Sequence, residues 1–590
     1  MHNKRSLLFC AALLLQFILS SISLGGAFST SFGGAWAASR LFNKGKSDYR
    51  IVLAAGASTS EQTAARELQS YLKQISGAEL PIVDANDDCG RHFIYVGYDT
   101  RVKAVTGAPV PAADDEAFTY ETIDGNLYVY GGRERGTMYG VFSFLEQQLG
   151  VLWLMPDCTF VPQRTTYRMP DLHVHEAPAI HYRYAQYRHV LDDAWCAHNK
   201  NNTLWAPRRN DYGGIGAYWN CHTCEQFVPA ETYFETHPEY FALRDGKRIS
   251  NGQLCLTNPD VLRICTDEIL KAMDVYPDCW VYSMSQSDNR RYCECENCTA
   301  IADRYQAQSG LMLWFVNQVA AAAKEVHPDK YVGTFAYQYT RKAPVGIRPA
   351  DNVVIRLCSI ECCFAHALDE CEHNRSFMAD LRDWQQLTSH LYIWDYVVNF
   401  AQYHAPFPNL QVLARNIRVF RDHHVVGIQE EAQYQTPGGE FAELKAWLLA
   451  HLLWNPEQDT QPLIDAFVRA YYGAAADAVL RYIELCRQLI KPETVMGIYI
   501  RHGDALYTDE FISASRRMLD DARQLVVGDS VLVSRIDRVR LQPMYLHLMR
   551  SPEAAKADGT TDEYIRLIRQ NGYKANEWEA VETFIRKIQR

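Results

Sequence analysis

From about residue 178 to 455 the chain alternates short apolar runs with amphipathic stretches, the rhythm of strands joined by helical crossovers. The apolar runs are Tyr182–Tyr187, Ala217–Cys221, Gly252–Leu256, Trp280–Met284, Tyr331–Tyr337, Val353–Ile360, Leu391–Tyr396 and Val425–Gln429, the second being the weakest. Between them, Val261–Met273, Leu311–Val326, Asn374–Ser389 and Leu410–His423 repeat apolar residues at helical spacing. Eight strands with crossovers predict an α/β fold, a (β/α)8 TIM barrel over 161–455. Four of these runs lead into acidic residues: the fourth through Ser285-Gln286-Ser287 to Asp288-Asn289, the sixth at Glu361, the seventh at Asp395 and the eighth at Glu430-Glu431. Polar groups delivered together where buried strands end mark the mouth of a parallel barrel, where such enzymes keep their chemistry.

The flanks read differently. Residues 39–160 predict a small, non-catalytic α/β domain. It has strands at Tyr49–Ala54 and Phe93–Gly97, a helix over Ser60–Ile75, and a hairpin from Phe118–Ile123 through Asp124-Gly125 into Leu127–Tyr130. Gly131-Gly132-Arg133 then opens a helix over Gly136–Leu149. The paired glycines suit a tight strand-to-helix turn better than a phosphate site, and they match no dinucleotide fingerprint. Over 456–590 the strands stop. Leu463–Tyr472, Ala476–Leu489, Asp509–Leu525, Ser530–Met549 and Asp562–Asn571 predict a C-terminal helical region. Residues 1–38 read as a signal peptide, with a basic start at Lys4-Arg5, an apolar stretch from Leu7 to Ile22 and small residues at Ala35-Trp36-Ala37-Ala38. The expectation is export to the periplasm, the cell surface or the medium. No other stretch is long and apolar enough to span a bilayer.

At 590 residues the chain is too long for one core. A net charge of -11, with no run of five Lys or Arg, argues against a nucleic-acid partner. The 35 Tyr and 12 Trp suit either large cores or sugar binding, since a ring face packs on the C–H face of a pyranose. Seventeen Cys is a high count for an exported chain, where disulfides are permitted. The densest cluster is Cys293-x-Cys295-x2-Cys298. It reads as a disulfide or loop-pinning element, as three ligands of a metal whose fourth comes from elsewhere, or as free thiols.

Glycoside cleavage needs a proton donor and a group that stabilises the oxocarbenium centre, usually two carboxyls. The candidates are Asp288, Glu361, Glu430 and Glu431. Glu361 beside Cys362-Cys363-Phe364 predicts a desolvated acid with a raised pKa. Strand alternation sends Glu430 and Glu431 to opposite faces, so one of them faces the pocket, and the choice leans to Glu431. Gln286, Asn289, His222, Tyr337, His366, Trp394, Asp395 and Tyr396 are candidate substrate contacts. For each a structural role competes: a turn or cap at Asp288-Asn289, a helix start at Glu430-Glu431, satisfied core hydrogen bonds for the histidines. No P-loop, no H-E-x-x-H and no nucleophile signature is present, and no cofactor or metal is called for.

Two resemblances add to this. The stretch GGRERGTMYGVFSFLEQQLGVLWLMPD (131–157) resembles the N-terminal domain that precedes the barrel in bacterial β-hexosaminidases and α-glucuronidases, where it packs on the barrel without doing chemistry. Several motifs in order resemble glycoside hydrolase family 163: THPEYFALRDGKR (236–248), QLCLTNP (253–259), SQSDNRRYCECENC (285–298), VIRLCSIECCFAH (354–366), IWDYVVNF (393–400) and GIQEEAQYQTPGGEF (427–441). That family comprises exported endo-β-N-acetylglucosaminidases, prominent in gut Bacteroidetes, that cut between the two core GlcNAc units of N-glycans. The resemblance implies a glycoprotein N-glycan or oligosaccharide substrate and a retaining, substrate-assisted mechanism. By role, Asp288 with Asn289 would polarise the 2-acetamido group, and Glu361 or Glu431 would serve as acid/base. Related acetamido-assisted barrels carry an adjacent acidic pair after the fourth strand, whereas this chain has Asp288-Asn289. The alternatives are an exo-acting α-glucuronidase or β-hexosaminidase type, with an Arg or Lys for a uronate, and a non-catalytic glycan-binding barrel.

Overall fold

The structure is a computed structural model that describes residues 39–87 and 90–590. The expected signal peptide, 1–38, lies outside the described residues. Among the described residues no helix is long and apolar enough to cross a membrane.

The N-terminal region is a six-stranded mixed sheet in the order His173–Glu176, Phe118–Ile123, Asn126–Gly131, His92–Val96, Tyr49–Leu53, Ile82–Asp84. The predicted hairpin is there, with Phe118 opposite Gly131 and Ile123 opposite Asn126. The helix Thr59–Ser76 covers one face. Ser58 and Glu61 close a reciprocal cap at its start, and left-handed Gly77 ends it. The sheet takes its edge strand from 173–176, and Thr166–Arg168 pairs antiparallel with Arg40–Asn43 in a separate two-stranded sheet. Gly131 and Gly132 form a tight turn: a Cβ on either would meet backbone carbonyls of 112–117.

The barrel strands are β1 Tyr182–Gln186, β2 Thr203–Leu204, β3 Gly216–Trp219, β4 Val281–Ser283, β5 Tyr331–Ala336, β6 Val353–Cys358, β7 Leu391–Tyr396 and β8 Val425–Glu431. All neighbours pair in parallel, and β1 closes onto β8. Gly252–Leu256 is not one of them: only Leu254 makes an isolated antiparallel bridge, to Phe241. Its place is taken by β2, two residues long, which makes Gly216–Trp219 the third strand. β1 and β2 share no backbone ladder. The gap is bridged by side chains, with Asn202 Oδ1 accepting from Arg183 N–H (3.0 Å) and Asn201 Oδ1 from Ala185 N–H (2.9 Å).

Alternation turns Tyr182, Tyr218, Gly333, Phe335, Arg356, Cys358, Tyr392, Trp394, Gly427, Gln429 and Glu431 into the barrel. The rings of Tyr218 and Tyr392 occupy the space that a Cβ on Gly333 and Gly427 would need. Arg356 lies among them with its guanidinium 3.3 Å from the centre of the Tyr218 ring. It donates to Gln429 Oε1 (3.0 Å) and to Tyr182 Oη (3.2 Å). This aromatic and cationic layer is a packed floor.

After the barrel come the fully buried helix Ala442–Trp454 and then Thr460–Tyr472, Ala476–Arg487, Asp509–Leu525, Ser530–Arg550, Thr560–Asn571 and Val581–Ile588. Two loops of this region return to the barrel mouth. Residues 496–500 run beside the loops that follow β6 and β7, through Phe364 N–H to Met496 O (2.8 Å) and Phe400 N–H to Ile498 O (2.9 Å). Residues 573–578 are held by Tyr403 N–H to Ala575 O (2.8 Å) and Glu577 N–H to Phe400 O (3.0 Å).

Candidate active site

At the C-terminal rim the chain leaves β3 through two left-handed residues, Asn220 (φ 61°) and His222 (φ 52°). Such backbone costs of order 1–3 kcal/mol per residue and persists where surroundings impose it. Here Ser285 Oγ accepts from His222 N–H (2.9 Å), and Nδ1 of the ring meets Gln286 O (2.7 Å). A carbonyl only accepts, so Nδ1 carries a proton. The ring sits 5.2 Å from Phe335 and 6.2 Å from Tyr337. Gln286 is fully buried. It donates to Tyr337 O (3.0 Å) and accepts from Thr340 Oγ1 (2.7 Å), so it ties the ends of β4 and β5 together rather than facing a ligand.

Asp288 is exposed and accepts from Tyr337 Oη (2.9 Å). Burial, and then the charge of Asp288, raise the Tyr337 phenol far above its ordinary value, so it is a fixed donor. Asn289 turns back on its own loop, its Oδ1 accepting from Arg291 N–H (3.0 Å). The predicted polar turn is thus real, and Asp288 is its exposed carboxylate, held by the end of β5.

Glu431 lies within β8, on its inward face. Trp394 Nε1–H donates to its Oε2 at 2.7 Å. Burial pushes the Glu431 carboxyl up to about 8; the Trp394 hydrogen bond opposes this, and the charges of Glu577 and Asp288 add to it. Glu577 is also raised, by burial first and by the charge of Asp288, against Lys574. Three carboxyls remote in sequence therefore share one field at the rim. Trp394 is nearly buried, its ring 5.5 Å from Phe335, 5.6 Å from Trp205 and 5.3 Å from the Arg356 guanidinium. Tyr396, against Phe364 and Phe400, is likewise wall. The exposed rings are Tyr434, Tyr499 and Trp578, the last two 5.9 Å apart. The charge of Glu431 reaches both Tyr434 and Tyr499.

Four expected site residues have surroundings other than those expected of them. Glu361 is not desolvated: its side chain is about a third exposed (34%) and lies between Arg290 (2.9 Å) and Arg341 (2.6 Å). The cause is the end of β6 at Cys358, after which Cys362 N–H bonds Ser359 O (2.8 Å) and the turn throws Glu361 outward. Asp395 and Glu430 are a register pair on the outward faces of β7 and β8, buried against the helical layer. Ser359 Oγ donates to Asp395, and burial lifts that carboxyl to about 6. Glu430 is raised further, by burial and by the charge of Asp395, and its Oε2 has no partner. The pair, raised together by burial, lies in the outer face of the barrel wall rather than in the pocket. His366 keeps a buried Nε2 without a hydrogen-bond partner.

Glu577, Tyr499, Trp578 and Tyr434 were missed from sequence. Lys574-Ala575-Asn576-Glu577-Trp578 reads locally as a polar turn between helices, and only its return to the Phe400 backbone brings it to the barrel mouth.

Residues 153–484, more than half of the chain, match the family model described as "Domain of unknown function (DUF4838)". The chain is a DUF4838 protein. Residues 39–144 of this DUF4838 protein match "Glycosyl hydrolase family 67 N-terminus". No curated relative matches it. Among solved structures it is similar to a family GH115 4-O-methyl-α-glucuronidase, at 12% identity and a TM-score of 0.56, covering 92% of this chain and 78% of that one. It is also similar to a GH138 enzyme targeting pectin rhamnogalacturonan II, at 11% identity and a TM-score of 0.51, with the same coverage. At these identities the likeness is one of fold: a parallel barrel with a small N-terminal domain and C-terminal helices, as in glycoside hydrolases.

Proposed function

We propose that this DUF4838 protein is an exported glycoside hydrolase whose acid/base is Glu431. The observation that carries the reading is a half-buried, inward carboxyl with its proton held up to about 8, beside Asp288 and Glu577 at the rim of a parallel barrel. An acid that is protonated at neutral pH is what a leaving glycosidic oxygen requires, and Asp288, held by Tyr337, supplies the second carboxyl. Exposed Tyr434, Tyr499 and Trp578 offer ring faces for sugar.

The finer reading is a retaining endo-β-N-acetylglucosaminidase acting on the GlcNAc-β-1,4-GlcNAc core of N-glycans. In it Asp288 orients the 2-acetamido group, whose oxygen attacks C1 while Glu431 protonates the leaving sugar. Glu431, now a carboxylate, then takes a proton from the water that attacks C1 and breaks the bond from C1 to the acetamido oxygen. What supports it over a uronate-specific enzyme is the state of the nearby cations: Arg290 and Arg341 are engaged by Glu361, and Arg356 is fully buried in the barrel floor. The test is incubation with a complex N-glycoprotein and mass spectrometry of the released glycans. Release with a single reducing-end GlcNAc supports the endo reading. Release only of terminal sugars or uronates from oligosaccharide panels would replace it while keeping the hydrolase. Binding without any release would leave a lectin.

A further inference from the structure

The fourth partner of the Cys293-x-Cys295-x2-Cys298 cluster is Cys255. The Sγ atoms of Cys255, Cys293, Cys295 and Cys298 all lie within 4.8 Å of one another, with Cys255 3.7 Å from Cys295 and 3.8 Å from Cys298. Every described cysteine is a free thiol. A disulfide needs about 2.05 Å between sulfurs. Four thiolates around zinc at about 2.3 Å stand roughly 3.8 Å apart in a tetrahedron. Three of the four residues are buried and Cys295 is half-buried.

We propose that these four cysteines form a structural, all-thiolate zinc site that staples the loop after β4. The surroundings match the charge of such a centre. A zinc with four thiolates is a dianion, and N–H and O–H groups point at its sulfurs. Leu243 N–H donates to Cys293 Sγ (3.3 Å), Arg248 Nη1 lies 3.7 Å from the same sulfur, and Thr257 Oγ1 lies 3.3 Å from Cys298 Sγ. The Arg248 guanidinium, which also donates to Phe241 O (2.7 Å), puts a positive charge where the dianion needs one. All-sulfur tetrahedral sites with no open position are structural and select zinc or iron over hard cations.

The ligands come from two segments that no strand pairing joins. Cys293, Cys295 and Cys298 straddle the start of the helix Glu296–Arg304, and Cys255 lies two residues beyond Gln253. Gln253 itself holds the turn that carries Asp288: its Nε2 donates to Ser287 O (2.8 Å) and Asn289 O (2.7 Å), and its Oε1 accepts from Ser287 N–H (3.0 Å). The zinc would therefore fix, at one remove, the rim carboxylate. Neither the sulfur geometry nor its donors depend on whether the chain hydrolyses glycosides.

The experiment is elemental analysis and native mass spectrometry of the full chain, with counting of free thiols by alkylation after unfolding in chelator without reductant. About one zinc per chain is expected, with all four cysteines alkylated. Cys298→Ser and Cys255→Ser should each retain less than about a tenth of that zinc. Cobalt substitution of the wild-type chain should give thiolate-to-cobalt charge-transfer bands with tetrahedral d–d bands, a readout that needs no variant to fold. A folded wild-type chain without metal overturns the proposal, whether its four cysteines prove alkylatable or linked as two disulfides. So does iron in place of zinc.

Discussion

At the scale of single residues, the proton on Glu431 is set by opposing influences that can be moved separately. Burial disfavours the anion, the Trp394 N–H stabilises it, and Glu577 and Asp288 disfavour it again. If Glu431 is the general acid, kcat/KM should fall on the alkaline side with a midpoint near 8. Glu431→Gln should lower kcat about a hundredfold or more, the usual worth of a positioned proton donor. Trp394→Phe removes a donor that favours the charged form, so the alkaline limb should move to higher pH; a limb that stays in place would detach it from Glu431. The same proton has a stability consequence. A carboxyl whose folded pKa lies above its ordinary 4.5 is neutral in both states below that value and destabilises the fold increasingly as pH rises toward 8. Thermal melts should therefore show Glu431→Gln gaining on wild type at about pH 8 relative to about pH 5. Equal differences at the two pH values would place the wild-type proton elsewhere.

At the scale of elements, parallel strands buried on both faces read as continuous apolar runs, which is why seven of the eight barrel strands are visible in the sequence. β2 is not, because two residues carry no periodicity. Gly252–Leu256 imitates a strand because Leu254, Cys255 and Leu256 are buried around the thiol cluster instead of in a ladder. Alternation correctly separates Glu430 from Glu431, while it fails at Glu361, where the strand has already ended. Glu577 is beyond any local reading, since its partners lie some 175 residues earlier around Phe400. The weak point of the barrel is the β1–β2 seam, closed by two asparagine amides. Asn201→Ala leaves the buried Ala185 N–H without its acceptor and should lower stability by about 1–3 kcal/mol in denaturant unfolding. An effect under about 0.5 kcal/mol would mean that the seam is closed by packing alone.

At the scale of the whole molecule, the N-terminal sheet is tied to that same seam by one carboxylate. Glu116, just before the strand Phe118–Ile123, accepts from Arg135 Nε (2.8 Å), from Arg183 Nη2 on β1 (2.7 Å) and from Asn202 Nδ2 (3.1 Å), all buried. Burial alone would raise this carboxyl, but Arg183 and Arg135 hold it down to about 2. Removing it strands two buried guanidinium groups, and breaking a buried pair in this way costs about 3–5 kcal/mol. Glu116→Gln should therefore lower Tm markedly at neutral pH. Because the folded pKa is depressed, the stabilisation is present above the ordinary value of 4.5 and is lost as pH falls toward 2. The gap in Tm between wild type and Glu116→Gln should accordingly be wide at about pH 7 and narrow steadily between about pH 4.5 and 2. The variant should melt in two transitions if this ion pair is what couples sheet and barrel, and in one if packing between them couples them without it. A gap that stays constant across that acid range would show that Glu116 acts through its shape and hydrogen bonds rather than through its charge.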